Sequence, residues 1–378
     1  MTVPPPTAAG WSLTAGTVAI TPRQPVSLGG FADRSGETTG VLDDLELNLA
    51  ALTAPGHGTL TWVAIDALAV KPELRRVVVD AVAAVTGCDP DHVVVTASHT
   101  HAAPSGWVGQ ILPSLPAPVD DQLLADLADA IRGMPLRRTE VRLETITTRI
   151  DGIGANRARL DGPFDPSARC LLAREPDGTP AALLYDFACH PTVLGPDNRL
   201  VSADWVGAAR AGLRRGLGAA LPVVFAQGCA GDVSTRHHRE GRTPSEVERL
   251  GALVAEQLLA ALKRAEPLTG TEVRLVRDTV TLPSRWAAPV TESMPIAAIA
   301  VGSHRWLTAP GEVVASFGLG LATGDHDTRL ISCADGYVGY FADPAGHAER
   351  SYEADASPLT AADTLELIRR VTVLDQGR

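Results

Sequence analysis

Val93-Val94-Val95-Thr96-Ala97-Ser98-His99-Thr100-His101-Ala102-Ala103-Pro104 is the stretch around which this chain is organised. Three β-branched residues in a row read as a buried strand, and the polar run after them reads as the loop at its end. Side chains at i and i+2 of an extended segment point the same way, so His99 and His101 can address one cleft from that strand end. Neutral imidazole is the commonest metal ligand and the usual proton carrier near neutral pH. An isolated His-x-His is more often a pair of solvated loop histidines, because the spacing arises freely by chance. What lies downstream shifts that balance.

The chain has 378 residues, 45% hydrophobic and 20% charged, enough for a large core. A net charge of -11 argues against a nucleic-acid partner and against a basic membrane-docking face. No apolar run approaches a transmembrane span, so no membrane anchor is expected. Met1-Thr2-Val3-Pro4-Pro5-Pro6 lacks the basic and apolar regions of a signal peptide, which leads to the expectation of a cytoplasmic location. Cys88, Cys170, Cys189, Cys229 and Cys333 are scattered, without Cys-x-x-Cys. They read as buried reduced thiols rather than a disulfide framework or zinc finger.

Strands are expected at 14–22, 45–52, 60–68, 93–97, 141–149, 169–173, 181–188, 222–226, 272–282, 296–307 and 329–334. Helices are expected from Pro72 to Thr86, closed by Gly87, and at 120–131, 204–217 and 245–265. A turn at Ala309-Pro310-Gly311-Glu312 opens a further short helix. Alternating strands and helices make an α/β chain, and the hairpin-like pairs point to mixed β-sheets flanked by helices. No linker divides the chain, so residues 1–378 read as a single domain. His99, His190, Ser234, Glu312 and Tyr340 all fall at strand ends or in the loops beyond them, where α/β sheets build sites.

These stretches resemble, in the same order, the motifs of the neutral, non-lysosomal ceramidases. Ser98 to Gly106 is similar to the family's Gly-Thr-His-Thr-His-Ser-Gly-Pro-Gly loop. Cys189-His190-Pro191-Thr192, with Leu200 to Asp204, resembles its second histidine motif. Phe225 to Ser234 resembles its Gly-Asp-Val-Ser loop, and Ala309 to Glu312 its Pro-Gly-Glu turn. Gly336 to Tyr340, with Arg350-Ser351-Tyr352-Glu353, resembles its closing Tyr-x-x-Tyr and Tyr-Glu stretch, and Asn156-Arg157 sits where the family has an Asn-Arg pair. Each motif alone is weak; five in order over about 14–357 are specific.

The resemblance implies the fold of that family's catalytic domain and one zinc ion held by His99, His190, Glu312 and Tyr340. Two imidazoles, a carboxylate and a phenolate are N/O ligands that zinc accepts, with a position left for water. It further implies that His101 shuttles a proton to the leaving amine, that Arg157 and Tyr352 donate to the oxyanion, and that Ser234 and Asn156 bind substrate. Read from the residues alone, Arg157 fits a surface ion pair equally well, Ser234 fits a turn serine, and Asp66 fits a cap or turn better than a group orienting a ligand histidine. His237-His238 and the arginines around them read as a solvated loop.

The known ceramidases are longer, with a signal peptide in the secreted ones and a C-terminal immunoglobulin-like domain. Here His101-Ala102-Ala103-Pro104 replaces His-Ser-Gly-Pro, and Asn156-Arg157-Ala158-Arg159 lacks the following Ser-Pro. The expectation is therefore a zinc-dependent hydrolase acting on an amide (N-acyl) bond of a small soluble molecule. The alternatives are a true ceramidase, or the same zinc site used for a lyase, cyclisation or acyl-transfer reaction. Thiol or serine hydrolysis through Cys229 or Ser234 with His190 is disfavoured, because Gly228-Cys229-Ala230-Gly231 is not a Gly-x-Ser-x-Gly elbow.

Overall fold

Val93–Ala97, buried along its whole length, lies at one edge of the principal sheet. The computed structural model describes residues 10–376 except positions 55, 114, 116, 287–289 and 323–327. The principal sheet contains β1 (Trp11–Ala19), β2 (Glu46–Thr53), β3 (Thr59–Ile65), β4 (Val93–Ala97), β5 (Leu136–Arg149), β6 (Ser167–Arg174), β7 (Pro180–Phe187) and β8 (Val223–Gln227). Its order is β8-β7-β6-β5-β1-β2-β3-β4, with Glu266–Pro267 added on β5. The pairs are antiparallel except at the two ends, where β7 runs parallel to β8 and β3 to β4.

Each parallel pair requires a crossover, and a helix supplies it. Helix α1 (Pro72–Thr86) joins β3 to β4, with Pro72 in the first turn and Gly87 closing it at φ 73°. Helix α3 (Asp204–Leu217) lies between β7 and β8. His99 leaves the end of β4 and His190 the end of β7, so each β-α-β unit contributes one histidine. The β8 end of the sheet folds back against β2 and β4: Asn48 Oδ1 accepts from the Val223 N–H, and Thr96 Oγ1 donates to the Phe225 carbonyl.

Helix α1 and α2 (Asp121–Arg132) cover the β2–β4 side, while α3 and α4 (Pro244–Leu262) cover β6–β8 through Leu213, Leu250, Val254 and Leu258. Burying each such side chain is worth about 1.5–3 kcal/mol. A second sheet, β9 (Val273–Pro283), β10 (Thr291–Val301), β11 (His304–Thr308) and β12 (Thr328–Ile331), packs on the first through Trp306. Trp306 meets Trp62 edge to face at 5.5 Å. Beyond β11 and β12 the chain bonds to the first sheet: Ser332 N–H to the Gln227 carbonyl and Asp335 N–H to the Val95 carbonyl. This is how Glu312, which follows β11 in the chain, reaches the strand ends that carry His99 and His190.

The fold is the expected α/β arrangement of mixed sheets with flanking helices, with local differences. The stretch 296–307 is not one strand but part of the hairpin β10–β11, turned at Gly302-Ser303. The apolar run continuing through Trp306 masks that two-residue turn. Short helices follow at α5 (Ala315–Ala322), α6 (Pro344–Glu349) and α7 (Tyr352–Asp355). Helix α8 (Ala361–Gln376), absent from the sequence expectation, lays Leu367 and Val371 on β9–β11. No helix among the described residues is long and apolar enough to cross a membrane.

Candidate metal centre

His99 does not sit on an extended segment. Its φ is 69°, a left-handed conformation uncommon outside glycine, held by bonds from its own N–H to the Ala67 carbonyl and from Ser98 N–H to Ile65. The expected sharing of a cleft with His101 is nevertheless realised, with the two Nε2 atoms 3.4 Å apart. His99 Nδ1 lies 2.6 Å from the Leu68 carbonyl, and His190 Nδ1 lies 2.9 Å from the Val233 carbonyl. A carbonyl only accepts, so each ring carries an N–H on Nδ1 and turns Nε2 inward. Those Nε2 atoms meet Glu312 Oε2 at 3.3 Å and 2.8 Å.

Two imidazole Nε2 atoms and a carboxylate, all nearly fully buried, converge on one another, and with no metal bound it is a proton on His99 that balances the carboxylate. Desolvation alone would push the Glu312 carboxyl up, but His99 and His190 outweigh it and hold Glu312 well below its ordinary value. Burial pulls His99 down, and the Glu312 carboxylate more than reverses that. The cluster therefore favours a carboxylate balanced by a cation. His99, His101 and His190 bring ring nitrogens within 4.8 Å of one another, a group able to hold a metal ion. The residues fit that role, since each anchored imidazole has the backbone partner that metal-binding histidines use to fix their tautomer.

Gly231 makes the convergence possible. A Cβ there would lie 2.9 Å from the Glu312 carbonyl oxygen, and the Gly231 N–H donates to Val313 at 2.8 Å. Glu312–Val313 pairs in parallel with Tyr340–Phe341, which sets Glu312 beside Tyr340. Burial first, then the Glu312 carboxylate, pushes the Tyr340 phenol well up, with Arg157 opposing. Tyr337 donates its hydroxyl to Glu312 Oε1 at 2.5 Å, the oxygen that the histidines leave free.

His101 stands apart from this set. Its Nδ1 is buried without a partner, and burial followed by His99 and His190 holds it well below the ordinary imidazole value. Gly30, at φ 96°, gives it room: a Cβ there would be 2.5 Å from the His101 ring. Arg157 is both an ion pair and a cleft residue. Its Nε donates to Glu353 Oε1 at 2.8 Å while its guanidinium lies 5.5 Å and 5.2 Å from the Tyr340 and Tyr352 rings. Tyr352 is 58% exposed at the mouth.

Ser234 is 6% exposed and lines the same cleft, where its Oγ accepts the Arg236 N–H. Asn156 uses both ends of its amide within the chain. Its Nδ2 donates to Asp232 Oδ2 at 2.7 Å, and its Oδ1 accepts from Ala158 and Arg159 N–H groups. Asp66 touches no histidine and caps no helix; it is bound to Arg210 Nη2 at 2.7 Å. The Cys229 thiol is buried, held above its ordinary value by desolvation, and turned toward the Leu330 carbonyl.

Four positioning residues received no role in the sequence reading, although Tyr337, Asp232 and Asp204 lie within the motifs it matched. Tyr337 holds Glu312. Asp232 ties the loop before Ser234 to Asn156 and to the Ala315 N–H. Asp204 gathers the Val193 and Leu194 N–H groups and so shapes the turn after His190. Arg34 reaches the Gly29, His101 and Gly195 carbonyls, joining three loops around the mouth. The cleft they surround has a volume of about 470 Å³.

Two solved structures share this architecture. The crystal structure of neutral ceramidase from Pseudomonas aeruginosa superposes with a TM-score of 0.82 at 16% identity, over 97% of this chain and 74% of that one. A ceramidase complexed with C2 gives a TM-score of 0.79 at 15% identity, over 97% and 75% of the two chains. The fold is therefore that of the neutral ceramidase catalytic domain. No protein-family model and no curated protein sequence matches the chain.

Proposed function

We propose that this chain, as one unit, is a zinc-dependent hydrolase that cleaves an amide (N-acyl) bond of a small soluble substrate. One observation carries it: two imidazoles anchored through Nδ1 and a buried carboxylate turn Nε2 and Oε2 on each other, a buried donor set of the kind that holds a metal cation. His99, His190, Glu312 and Tyr340 are the ligands. When bound, zinc supplies a Lewis acid for the amide carbonyl and a water of near-neutral pKa.

The chain's own residues do the rest. His101, held neutral and facing the cluster, takes a proton and returns it to the leaving amine. Arg157 is fixed by Glu353 between two tyrosine rings, so its charge is already aimed into the cleft where the oxyanion develops. Tyr352 adds a hydroxyl from the mouth. Ser234 binds substrate from the loop that Asp232 and Asn156 hold in place. The neighbours in fold are ceramidases, which supports amide hydrolysis as the reaction class.

The test is turnover of zinc-loaded protein against N-acyl amines, N-acyl amino acids, peptides and long-chain ceramide in detergent. Hydrolysis of a soluble amide, abolished by a chelator and restored by zinc, is expected. Activity that survives chelation but not a thiol reagent would overturn the metal assignment. A kcat/KM for ceramide above that of every soluble amide would overturn the substrate assignment.

A further inference from the structure

The segment after Ser234 carries Arg236, Arg239 and Arg242, three arginines within seven positions. Sequence alone reads them as a solvated loop. The structure instead places all three on the wall of the cleft that also holds His101, His190 and Tyr340. The loop is pinned from within: Ser234 Oγ accepts the Arg236 N–H, and Arg239 N–H bonds to the Thr235 carbonyl.

These cations differ from four other arginines of this part of the molecule. Arg157, Arg210, Arg214 and Arg249 each meet a carboxylate. Arg236 reaches only the Arg157 carbonyl through Nη1, and Arg239 Nη1 the Thr192 carbonyl. None of the three meets a carboxylate within ion-pair distance among the described residues. Of the acidic groups near them, Asp204 is occupied by backbone N–H groups and Glu353 by Arg157, while Asp197 lies across Gly195 from Arg242 without forming an ion pair with it. Burial, then Arg242, hold the Arg239 guanidinium below its ordinary value, with Arg236 adding to the effect and Asp204 opposing it. Three like charges thus share one wall of the cleft, Arg239 half-buried and Arg236 and Arg242 exposed, an arrangement that an anionic ligand would relieve.

We infer that the substrate carries an anionic group, a carboxylate or phosphate, which Arg236, Arg239 and Arg242 hold at one end of the cleft while its amide lies at the histidine end. This rests on the amide-hydrolase reading above and narrows it to acidic N-acyl compounds. Guanidinium forks match both anions in two-point geometry. The cleft volume of about 470 Å³ suits a small molecule that spans both ends.

The experiment has three arms on the zinc-loaded full chain. First, N-acyl amino acids are compared with their neutral carboxamides. The acids are expected to win through KM, and an Arg239→Gln/Arg242→Gln double variant loses that preference by about 100-fold, roughly tenfold for each charged hydrogen-bonding partner removed. Its zinc content stays at the wild-type level. Arg369→Gln, on the exposed face of α8, changes neither. Second, calorimetry with succinate and with inorganic phosphate reads binding even if no amide is turned over. Affinity falls in the double variant and with added salt. Third, cosedimentation with phosphatidylglycerol vesicles separates a free anion from a lipid headgroup.

Equal turnover of acids and carboxamides by wild type overturns the inference while leaving amide hydrolysis intact. Unchanged dianion affinity in the double variant overturns it whatever the turnover. Vesicle binding lost with the arginines, without succinate or phosphate binding, overturns it in favour of surface docking. Absence of any amide hydrolysis together with arginine-dependent dianion binding removes the hydrolase reading and keeps the anion site.

Discussion

Two polar clusters of this molecule solve the problem of burial in opposite ways. Glu46, Asp66, Arg210 and Arg214 are charge-balanced. Arg214 grips Glu46 with both terminal nitrogens at 2.7 Å and 2.8 Å, and Arg210 binds Asp66 at 2.7 Å and Glu46 at 3.1 Å. His99, His190 and Glu312 are more deeply buried, and Glu312 has no arginine or lysine within ion-pair distance among the described residues, only the two imidazoles. The first cluster is complete as folded and ties α3 to β2. The second is complete only with something added. Buried charge marks function here only where it is left unbalanced.

The largest expected effect comes from removing the unbalanced carboxylate. Glu312→Gln should lower kcat/KM by roughly 1,000-fold or more. In metal-free protein it should leave the unfolding midpoint unchanged or raised, because it removes a buried carboxylate and lets His99 return to its neutral form. Arg210→Met should do the reverse. It strands Asp66 and costs about 3–5 kcal/mol in denaturant unfolding, with full zinc in the folded fraction. Equal destabilisation by both substitutions would erase the contrast between the clusters.

Smaller effects sharpen it. His101→Ala should retain the metal and lose about 100-fold in kcat; loss of zinc instead would move His101 into the ligand set. Tyr337→Phe removes the donor to Glu312 and should weaken zinc affinity about tenfold in a competition titration.

The smallest signal is a pH dependence confined to acid. Burial raises the Glu46 carboxyl, but Arg210 and Arg214 together bring it down to about 2. A carboxyl depressed by folding stabilises the native state above its unfolded value of 4.5, and that stability is lost as pH falls toward 2. Unfolding free energy measured across that window should slope downward into acid, and Glu46→Gln should flatten the slope.

Much of this was legible in the sequence where residues carry their meaning locally. Pro72 and Gly87 bound α1 because each constrains its own backbone. His99, His190, Glu312 and Tyr340 stand at strand ends in an order that matches a known pattern. What escaped depends on partners far along the chain. Tyr337 matters only because Glu312 lies opposite it, and Asp204 because the turn at 193–194 lacks its own acceptors. The arginines after Ser234 look like any solvated run until the fold turns them onto the cleft. His99 reaches His101 by a left-handed backbone that a period-two pattern does not anticipate.

Zinc content of the purified chain tests the central contrast most directly. Elemental analysis should find one zinc per wild-type chain and per folded Arg210→Met chain, and most of it missing from His99→Ala, His190→Ala and Glu312→Gln. A full equivalent of zinc in both His99→Ala and His190→Ala would contradict the account.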